Sequence, residues 1–238
     1  MKQLTSNEKV PPNILLYGPA GTGKSYSVTT YSGPVLLLQT EPGLVSALAN
    51  ESFRQRVESG QSHVFQIESW GDIDPMRTSL TDWLKAAGLG NWMPELVVLD
   101  SVTWAAELAK EEILRRMPSK SGVPELHHWM LITEWVRQLV RGVVRCKAAS
   151  LIIAQADIRD IEEPGSSQQA WLPGMPGRYA TKITHDVDFV VFARRDTSGK
   201  FVVDTQASAS KLGKTRALEL PRTMELNLDE LVKALSRG

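Results

Sequence analysis

A glycine-rich run constrains the fold of this chain more than any other feature: Gly18, Pro19, Ala20, Gly21, Thr22, Gly23, Lys24 and Ser25. Its pattern of glycine, four variable positions, glycine, lysine and serine is that of the phosphate-binding P-loop. The apolar run at residues 13–17 predicts a buried strand before it, and residues 25–31 can continue as a helix after it. Strand, glycine-rich turn and helix are the setting that the motif needs. The run therefore predicts an α/β fold built around a phosphate site.

The residue types of this loop suit the binding of a nucleotide's phosphates. Gly18, Gly21 and Gly23 let the backbone turn where a side chain would clash, so that several N–H groups point inward. The N-terminus of the following helix adds the positive end of its dipole. Lys24 can reach the β- and γ-phosphates, and the Ser25 hydroxyl can bind Mg²⁺, which prefers oxygen ligands.

Apolar runs elsewhere predict the remaining strands, at residues 34–39, 64–67, 96–100 and 151–155. Stretches with helical periodicity separate these runs, and one of them predicts a single helix over residues 75–87. Continuous apolar strands that alternate with helices indicate a mostly parallel sheet covered on both faces, a three-layer α/β fold. Two later runs, at 189–193 and 200–204, predict an antiparallel hairpin added at one edge of that sheet.

The chain has 238 residues, of which 42% are hydrophobic, and this is enough for one α/β domain. We expect a polar lead-in over residues 1–12, a core over 13–221 and a C-terminal helix over 222–238. Residues 159–178 are rich in proline, glycine, serine and glutamine, which predicts a long loop.

Charge and cysteine content limit the partners of the protein. Its 27 basic and 27 acidic residues cancel, so any contact with DNA has to come from a local patch. The single cysteine, Cys146, excludes an internal disulfide and suits a reducing compartment. No apolar run reaches membrane-spanning length, and the N-terminus has no signal-peptide pattern. We therefore expect a cytoplasmic protein without a membrane partner.

Three polar residues follow apolar strands, where ligands bind in parallel sheets. Asp100 has the form of the acidic residue that holds Mg²⁺ in P-loop enzymes, although Asp100 or Ser101 could equally cap a helix. Glu41 could polarise the attacking water if its strand neighbours the P-loop strand; the alternative is an exposed turn carboxylate. Gln155 could sense the γ-phosphate or could simply be a polar strand end.

Together these positions resemble the RecA-type branch of P-loop ATPases, over roughly residues 13–221. Within that branch the chain is most similar to the short phage-encoded ATPases of the Sak and RecA-like single-strand annealing type. Besides the P-loop, the similar segments are Thr40-Glu41-Pro42-Gly43, Glu68-Ser69-Trp70 and Lys211-Leu212-Gly213-Lys214-Thr215-Arg216.

The resemblance implies an enzyme that binds and hydrolyses ATP with Mg²⁺. Lys24, Ser25, Asp100 and Glu41 would be its nucleotide and catalytic residues, and Gln155 would match the family's γ-phosphate sensor. Lys214 and Arg216 would match the basic pair that reaches a neighbouring subunit's nucleotide and stabilises charge in the transition state. The alternative for this pair is a solvated basic run at a strand end.

In the family that the chain resembles, two long loops bind single-stranded DNA inside a ring or filament. The corresponding loops here would be residues 115–124 and 158–182. Their basic and aromatic residues could meet phosphates or stack on bases: Arg116, Lys120, Arg159, Trp171, Arg178, Tyr179 and Lys182. The alternative is a pair of surface loops with a buried tryptophan anchor.

Three functions remain open from the sequence. The first is a DNA-stimulated ATPase of phage recombination or annealing, oligomeric, in the host cytoplasm, with a single-strand-binding protein as a further partner. The second is an ATPase that acts on protein partners, such as a helicase loader, which the zero net charge favours. The third is a small-molecule kinase, but the chain lacks an evident arginine-rich lid.

Overall fold

The structure, a computed structural model, describes residues 10–41, 46–163, 166–215 and 220–236. Most of the predicted lead-in, the Pro42-Gly43 pair and Arg216 lie outside the described residues. None of the described helices is long and apolar enough to cross a membrane.

The described strands form one sheet in the order β3-β2-β4-β5-β1-β7-β8-β9, with β6 paired to β5. Their bounds are β1 Asn13–Gly18, β2 Val35–Gln39, β3 His63–Gln66, β4 Leu96–Asp100, β5 Ala149–Glu163, β6 Ser166–Pro173, β7 Phe189–Arg195, β8 Phe201–Asp204 and β9 Thr223–Glu225. The pairs from β3 to β7 along this order are parallel, whereas β8 and β9 are antiparallel. The predicted α/β fold, with an antiparallel addition at one edge, is confirmed.

Helices cover both faces of the sheet. Their bounds are α1 Glu51–Glu58, α2 Trp70–Ile73, α3 Leu80–Ala86, α4 Val102–Arg116, α5 Leu126–Val144, α6 Tyr179–Lys182 and α7 Leu228–Leu235. Short 3₁₀ segments lie at Tyr26–Thr30, Ser46–Ala49, Asp74–Arg77 and Ile183–His185. The helix predicted to follow the P-loop is therefore a 3₁₀ turn in this structure.

The P-loop strand shows how the two faces are buried. Leu15 and Tyr17 belong to the core cluster under α2 to α6, and Ile14 and Leu16 belong to the cluster under α1 and α7. Successive side chains of a strand point to opposite faces, so a strand buried on both faces has to be apolar at every position. This is why continuous apolar runs predicted the parallel strands correctly.

The predicted loop over residues 159–178 is wrong, because most of it forms a β-hairpin. β5 continues beyond the carboxyl ends of its neighbours β4 and β1. Its second half pairs antiparallel with β6, from Ala156 opposite Pro173 onward. The alternation of Ala156 and Ile158 with Asp157 and Arg159 was the strand signal, and the turn-forming composition concealed it. We refer to the paired residues 156–163 and 166–173 as the β5–β6 hairpin.

The helix predicted over residues 75–87 is also divided. A 3₁₀ turn ends at Arg77, and α3 begins only at Leu80. The Ser79 side chain accepts a hydrogen bond from the Asp82 N–H at 3.1 Å, which caps the N-terminus of α3.

We predict that Gly142→Ala destabilises the fold. A Cβ at Gly142 in α5 would lie 2.2 Å from the Met76 carbonyl oxygen and 3.0 Å from the Arg77 Cα, which are backbone atoms. Relief of this overlap requires the 3₁₀ turn to move away from α5, at a cost of about 1–3 kcal/mol in the free energy of unfolding. Urea denaturation measures this loss. Gly71→Ala is the control, because its Cβ would meet only the Ser69 Oγ, at 3.5 Å; equal losses in both variants would contradict the prediction.

Candidate active site

The parallel register brings the carboxyl ends of β1, β2 and β4 close to the middle of β5. Gly18 lies opposite Gln155 in the β1–β5 pair, and Gln39 lies opposite Asp100 in the β2–β4 pair. The Thr40 N–H donates to the Asp100 carbonyl oxygen at 2.7 Å, which continues this pairing to the residue before Glu41. Residues far apart in the sequence therefore surround the P-loop.

The P-loop folds closely around its lysine. Gly21 and Gly23 have φ values of +73° and +81°, the left-handed region that glycine adopts without strain. Lys24 is only 8% exposed, and its Nζ donates to the carbonyl oxygens of Gly18 at 2.8 Å and Pro19 at 2.7 Å. Burial lowers the pKa of Lys24, while Asp100 and Glu41 act in the opposite direction. The ammonium is thus held inside the loop where phosphate oxygens would enter.

Asp100 and Ser25 form an oxygen-rich corner beside the lysine. Burial raises the pKa of Asp100 to about 6, and a hydrogen bond with the Ser25 hydroxyl opposes this rise. Its Oδ2 is buried without a hydrogen-bond partner among the described residues. Such an orphaned oxygen costs free energy unless a cation or water satisfies it.

This corner fits Mg²⁺. Among the described residues, no cluster of three or more His, Cys, Asp or Glu side chains could hold a metal ion. Mg²⁺ does not need such a cluster, because it is commonly held by one or two carboxylates together with waters and substrate phosphates. Asp100 and Ser25 would hold the ion, which would neutralise charge that develops on the phosphates.

Glu41 is held by one residue of β5 and by one that follows the neighbouring strand β4. Its Oε1 accepts hydrogen bonds from the Ser101 Oγ at 2.8 Å and from the Gln155 Nε2 at 3.1 Å. Ser101 also caps α4, since its Oγ accepts from the Trp104 N–H at 3.3 Å, so the alternative of a capping role holds for this residue. The condition that its strand neighbours the P-loop strand is not met, because β4 and β5 lie between β2 and β1 in the sheet. Glu41 is nevertheless a fixed carboxylate on the lining of the cavity beside the P-loop, rather than a free turn residue.

Gln155 connects this carboxylate to the β5–β6 hairpin. Its backbone N–H donates to the Thr103 Oγ1 at 3.0 Å, and its carbonyl oxygen accepts from the Gly174 N–H at 2.7 Å. The side chain thus contacts Glu41 while the backbone forms part of the base of the hairpin. A change in the position of Gln155 would therefore shift β5 and also Gly174, the first residue after β6.

The groups at this edge surround one open cavity of about 490 Å³. Its lining comes from the P-loop, from β4, β5, β7 and β8, from the segment that follows β2, and from two 3₁₀ segments, namely Ala20, Gly21, Thr22, Gly23, Lys24, Ser25, Tyr26, Glu41, Ser46, Asp100, Ile153, Gln155, Arg195 and Phe201. Lys24, Ser25, Glu41, Asp100 and Gln155 therefore line a single cavity, and their roles in binding and catalysis stay predictions. The cavity lies in the size range of small-molecule and cofactor pockets.

Arg195 and Phe201 were missed by sequence reasoning. They lie at the end of β7 and the start of β8, and β7 pairs parallel with β1, so its carboxyl end reaches the same edge as the P-loop. The sequence predicted the β7–β8 hairpin at an edge of the sheet, but it did not predict that β7 pairs with β1. A rule that every parallel strand end is a ligand position would have drawn attention to Arg195.

Lys214 is directed away from this cavity. Its Nζ donates to the carbonyl oxygens of Thr184 and, at 2.7 Å, of Val187. Its backbone pairs with Val190, which lies opposite Leu15, three residues before Gly18. Lys214 is therefore a support of its own chain's backbone here, and its action on a neighbouring subunit's nucleotide stays a prediction.

Four of the residues predicted to contact DNA are engaged within the fold. The Arg116 Nε lies 2.6 Å from the Glu112 Oε1, and Arg159 donates to Asp157 at 3.1 Å. Trp171 is half-buried against the core, as in the alternative of a tryptophan anchor. Tyr179 is 2% exposed and donates to Asp186 at 3.2 Å, which corrects the expectation that its ring stacks on a base.

Lys120, Arg178 and Lys182 are exposed. Arg178 and Lys182 line a groove of about 660 Å³ between α5 and α6, together with Leu126, Trp129 and Met130. The role of these three cations in DNA binding stays a prediction.

The fold and the site define a P-loop nucleotide-binding domain. Residues 11–217 match the family model described as AAA domain, and the chain belongs to this family of ATPases. No curated protein matches the chain.

We predict that Glu41→Gln preserves ATP binding and slows hydrolysis. Glutamine has the shape of glutamate and can accept from Ser101, but it cannot take a proton from water. Loss of general-base assistance reduces turnover by about 10²–10⁴-fold. Equilibrium binding of ATP and single-turnover phosphate release separate the two effects.

Glu68→Gln is the matched control, because Glu68 follows the neighbouring strand β3 and does not line the cavity. Normal turnover of the Glu41 variant would show that another group orients the water.

Proposed function

We propose that this protein is a Mg²⁺-dependent ATPase that acts on single-stranded DNA as a homo-oligomer, in recombination or annealing of the phage type. The observation that carries the proposal is the hydrogen-bonded line from Glu41 through Gln155 to Gly174. It joins the group best placed to activate water to the base of the β5–β6 hairpin. ATP hydrolysis and a DNA-contacting segment would be coupled through this line.

The groove lined by Arg178 and Lys182 is the best candidate path for DNA. Trp129 is 40% exposed and lines this groove, and it also lines the adjoining cavity that Asp157 and Gly174 border. Cations that follow a phosphate backbone beside an exposed aromatic ring are what binding of single strands requires. The path starts next to Gln155, so nucleotide state and DNA contact lie within one connected region.

Assembly would complete the site. Arg216, which lies outside the described residues, is the candidate cation that reaches a neighbouring subunit's γ-phosphate. In that arrangement hydrolysis depends on oligomerisation. A ring and a filament would both place this cation beside a neighbouring subunit's nucleotide. A single-strand-binding protein would deliver the DNA, and the host cytoplasm would be the site of action.

A second function is favoured by a different observation. Leu126 is 78% exposed and Met130 is 67% exposed, and both line the same groove. Contiguous exposed apolar side chains commonly mark protein–protein contact sites. The alternative is therefore an ATPase that docks a protein partner here, as a replication accessory such as a helicase loader.

We expect single-stranded DNA to stimulate ATP hydrolysis at low salt and to promote assembly. Phosphate release is measured with and without DNA, together with the oligomer size. Arg178→Ala and Lys182→Ala should lose most of the stimulation while basal turnover persists, since each removes a cation from the groove. The stimulation should also fall as salt rises.

Lys233→Ala is the matched control, because this exposed lysine lies on α7, which packs against the opposite face of the sheet. Lys24→Ala reports turnover that does not come from the P-loop. Hydrolysis indifferent to DNA would contradict the DNA proposal and favour the protein-partnered alternative.

A further inference from the structure

The catalytic groups of the cavity all lie on one side of the P-loop strand. Glu41 follows β2, Asp100 ends β4, and Gln155 lies in β5 opposite Gly18. In the sheet order these strands stand on one side of β1, and β7 and β8 stand on the other. A triphosphate whose γ-phosphate faces Glu41 and Gln155 therefore has to extend its nucleoside toward β7 and β8.

That end of the cavity is lined by Arg195 and Phe201. The Arg195 guanidinium lies over the Phe201 ring, 4.5 Å from the ring centroid, and its Nε donates to the Gly21 carbonyl oxygen at 3.1 Å. Phe201 packs against the P-loop at Gly23, where an added Cβ would lie 2.7 to 2.9 Å from three ring atoms. The pair is thus fixed to the P-loop at two points.

Arg195 and Phe201 lie on the hairpin formed by β7 and β8, and hydrogen bonds within this hairpin hold it in place. The Asp196 Oδ1 accepts hydrogen bonds from the Ser198 N–H at 2.8 Å and the Lys200 N–H at 2.9 Å, which orders the turn. Partial burial alone would raise the pKa of Asp204, but hydrogen bonds led by that of Arg194 lower it to about 2. Arg194 and Asp204 hold the two strands together beside the pair. Arg195 is nevertheless exposed, so this surface is pre-organised and open.

We propose that Arg195 and Phe201 form a nucleoside shelf, on which the base of a bound nucleoside triphosphate stacks. The inference rests on the proposed nucleotide binding at the P-loop. A guanidinium plane and an aromatic ring both stack on bases, and a guanidinium also donates to acceptor atoms of the base or ribose. The shelf adds affinity for the nucleoside part of the ligand and none for the phosphates.

Tripolyphosphate separates the shelf from the P-loop, because it has the phosphate chain of ATP without a nucleoside. We expect the wild-type protein to bind ATP more tightly than tripolyphosphate, both in Mg²⁺. Arg195→Ala should weaken ATP binding about tenfold and leave tripolyphosphate binding within about twofold of wild type. Isothermal titration calorimetry on the full chain measures both ligands.

Two further variants guard against simple misfolding. Phe201→Leu keeps an apolar side chain against Gly23 and removes the aromatic face, so it should weaken ATP binding alone. Lys200→Ala removes an exposed cation from the same hairpin turn without touching the cavity lining, and it should change neither affinity.

The outcomes distinguish the shelf from the nucleotide site itself. Equal weakening of both ligands by Arg195→Ala would overturn the shelf and make Arg195 a phosphate ligand. Wild-type binding of tripolyphosphate as tight as that of ATP would overturn the shelf alone. Binding of neither ligand by the wild-type protein would overturn the nucleotide function and the shelf with it.

Discussion

The close approach of β1 to its neighbours is the constraint on which the site depends. Gly18 ends β1 where a Cβ would lie 2.3 Å from the Ala193 carbonyl oxygen of β7, so the two strands can approach only because this residue is glycine. On its other side, Gly18 lies opposite Gln155 of β5. The first glycine of the P-loop therefore serves both the phosphate loop and the sheet. From this contact, β5 carries Gln155 and β7 carries Arg195 to the two sides of the loop.

Burial of the charged side chains governs the electrostatics of the site. The carboxylates of Asp100 and Glu41 act to raise the pKa of Lys24, and burial is the largest influence on the pKa of both Lys24 and Asp100. A buried carboxyl with a raised pKa and an unsatisfied oxygen is costly as an isolated anion. A divalent cation beside Ser25 would reverse that cost, and the phosphates of a nucleotide would satisfy the lysine. The fold thus holds a site whose electrostatics favour the cation and the nucleotide together.

Strand-end residues were predictable because each follows an apolar run that local sequence reveals. Glu41, Asp100 and Gln155 were found in this way, although their mutual contacts depend on strand order, which a single sequence does not specify. Arg195 was missed for the same reason, since its importance comes only from the pairing of β7 with β1. The β5–β6 hairpin was missed because proline and glycine content outweighed a short alternation. The hydrogen bonds from Lys214 to backbone carbonyl oxygens depend on tertiary structure, which no local sequence pattern predicts.

The link from Glu41 through Gln155 to the β5–β6 hairpin is tested most directly by hydrogen–deuterium exchange. Exchange is compared between the protein with Mg²⁺ and a non-hydrolysable ATP analogue and the protein with Mg²⁺ and ADP. The γ-phosphate should change exchange at the P-loop and also at residues 156–158 and 171–174, the base of the hairpin. A change confined to the P-loop and Glu41 would contradict the coupling of the phosphate site to the hairpin.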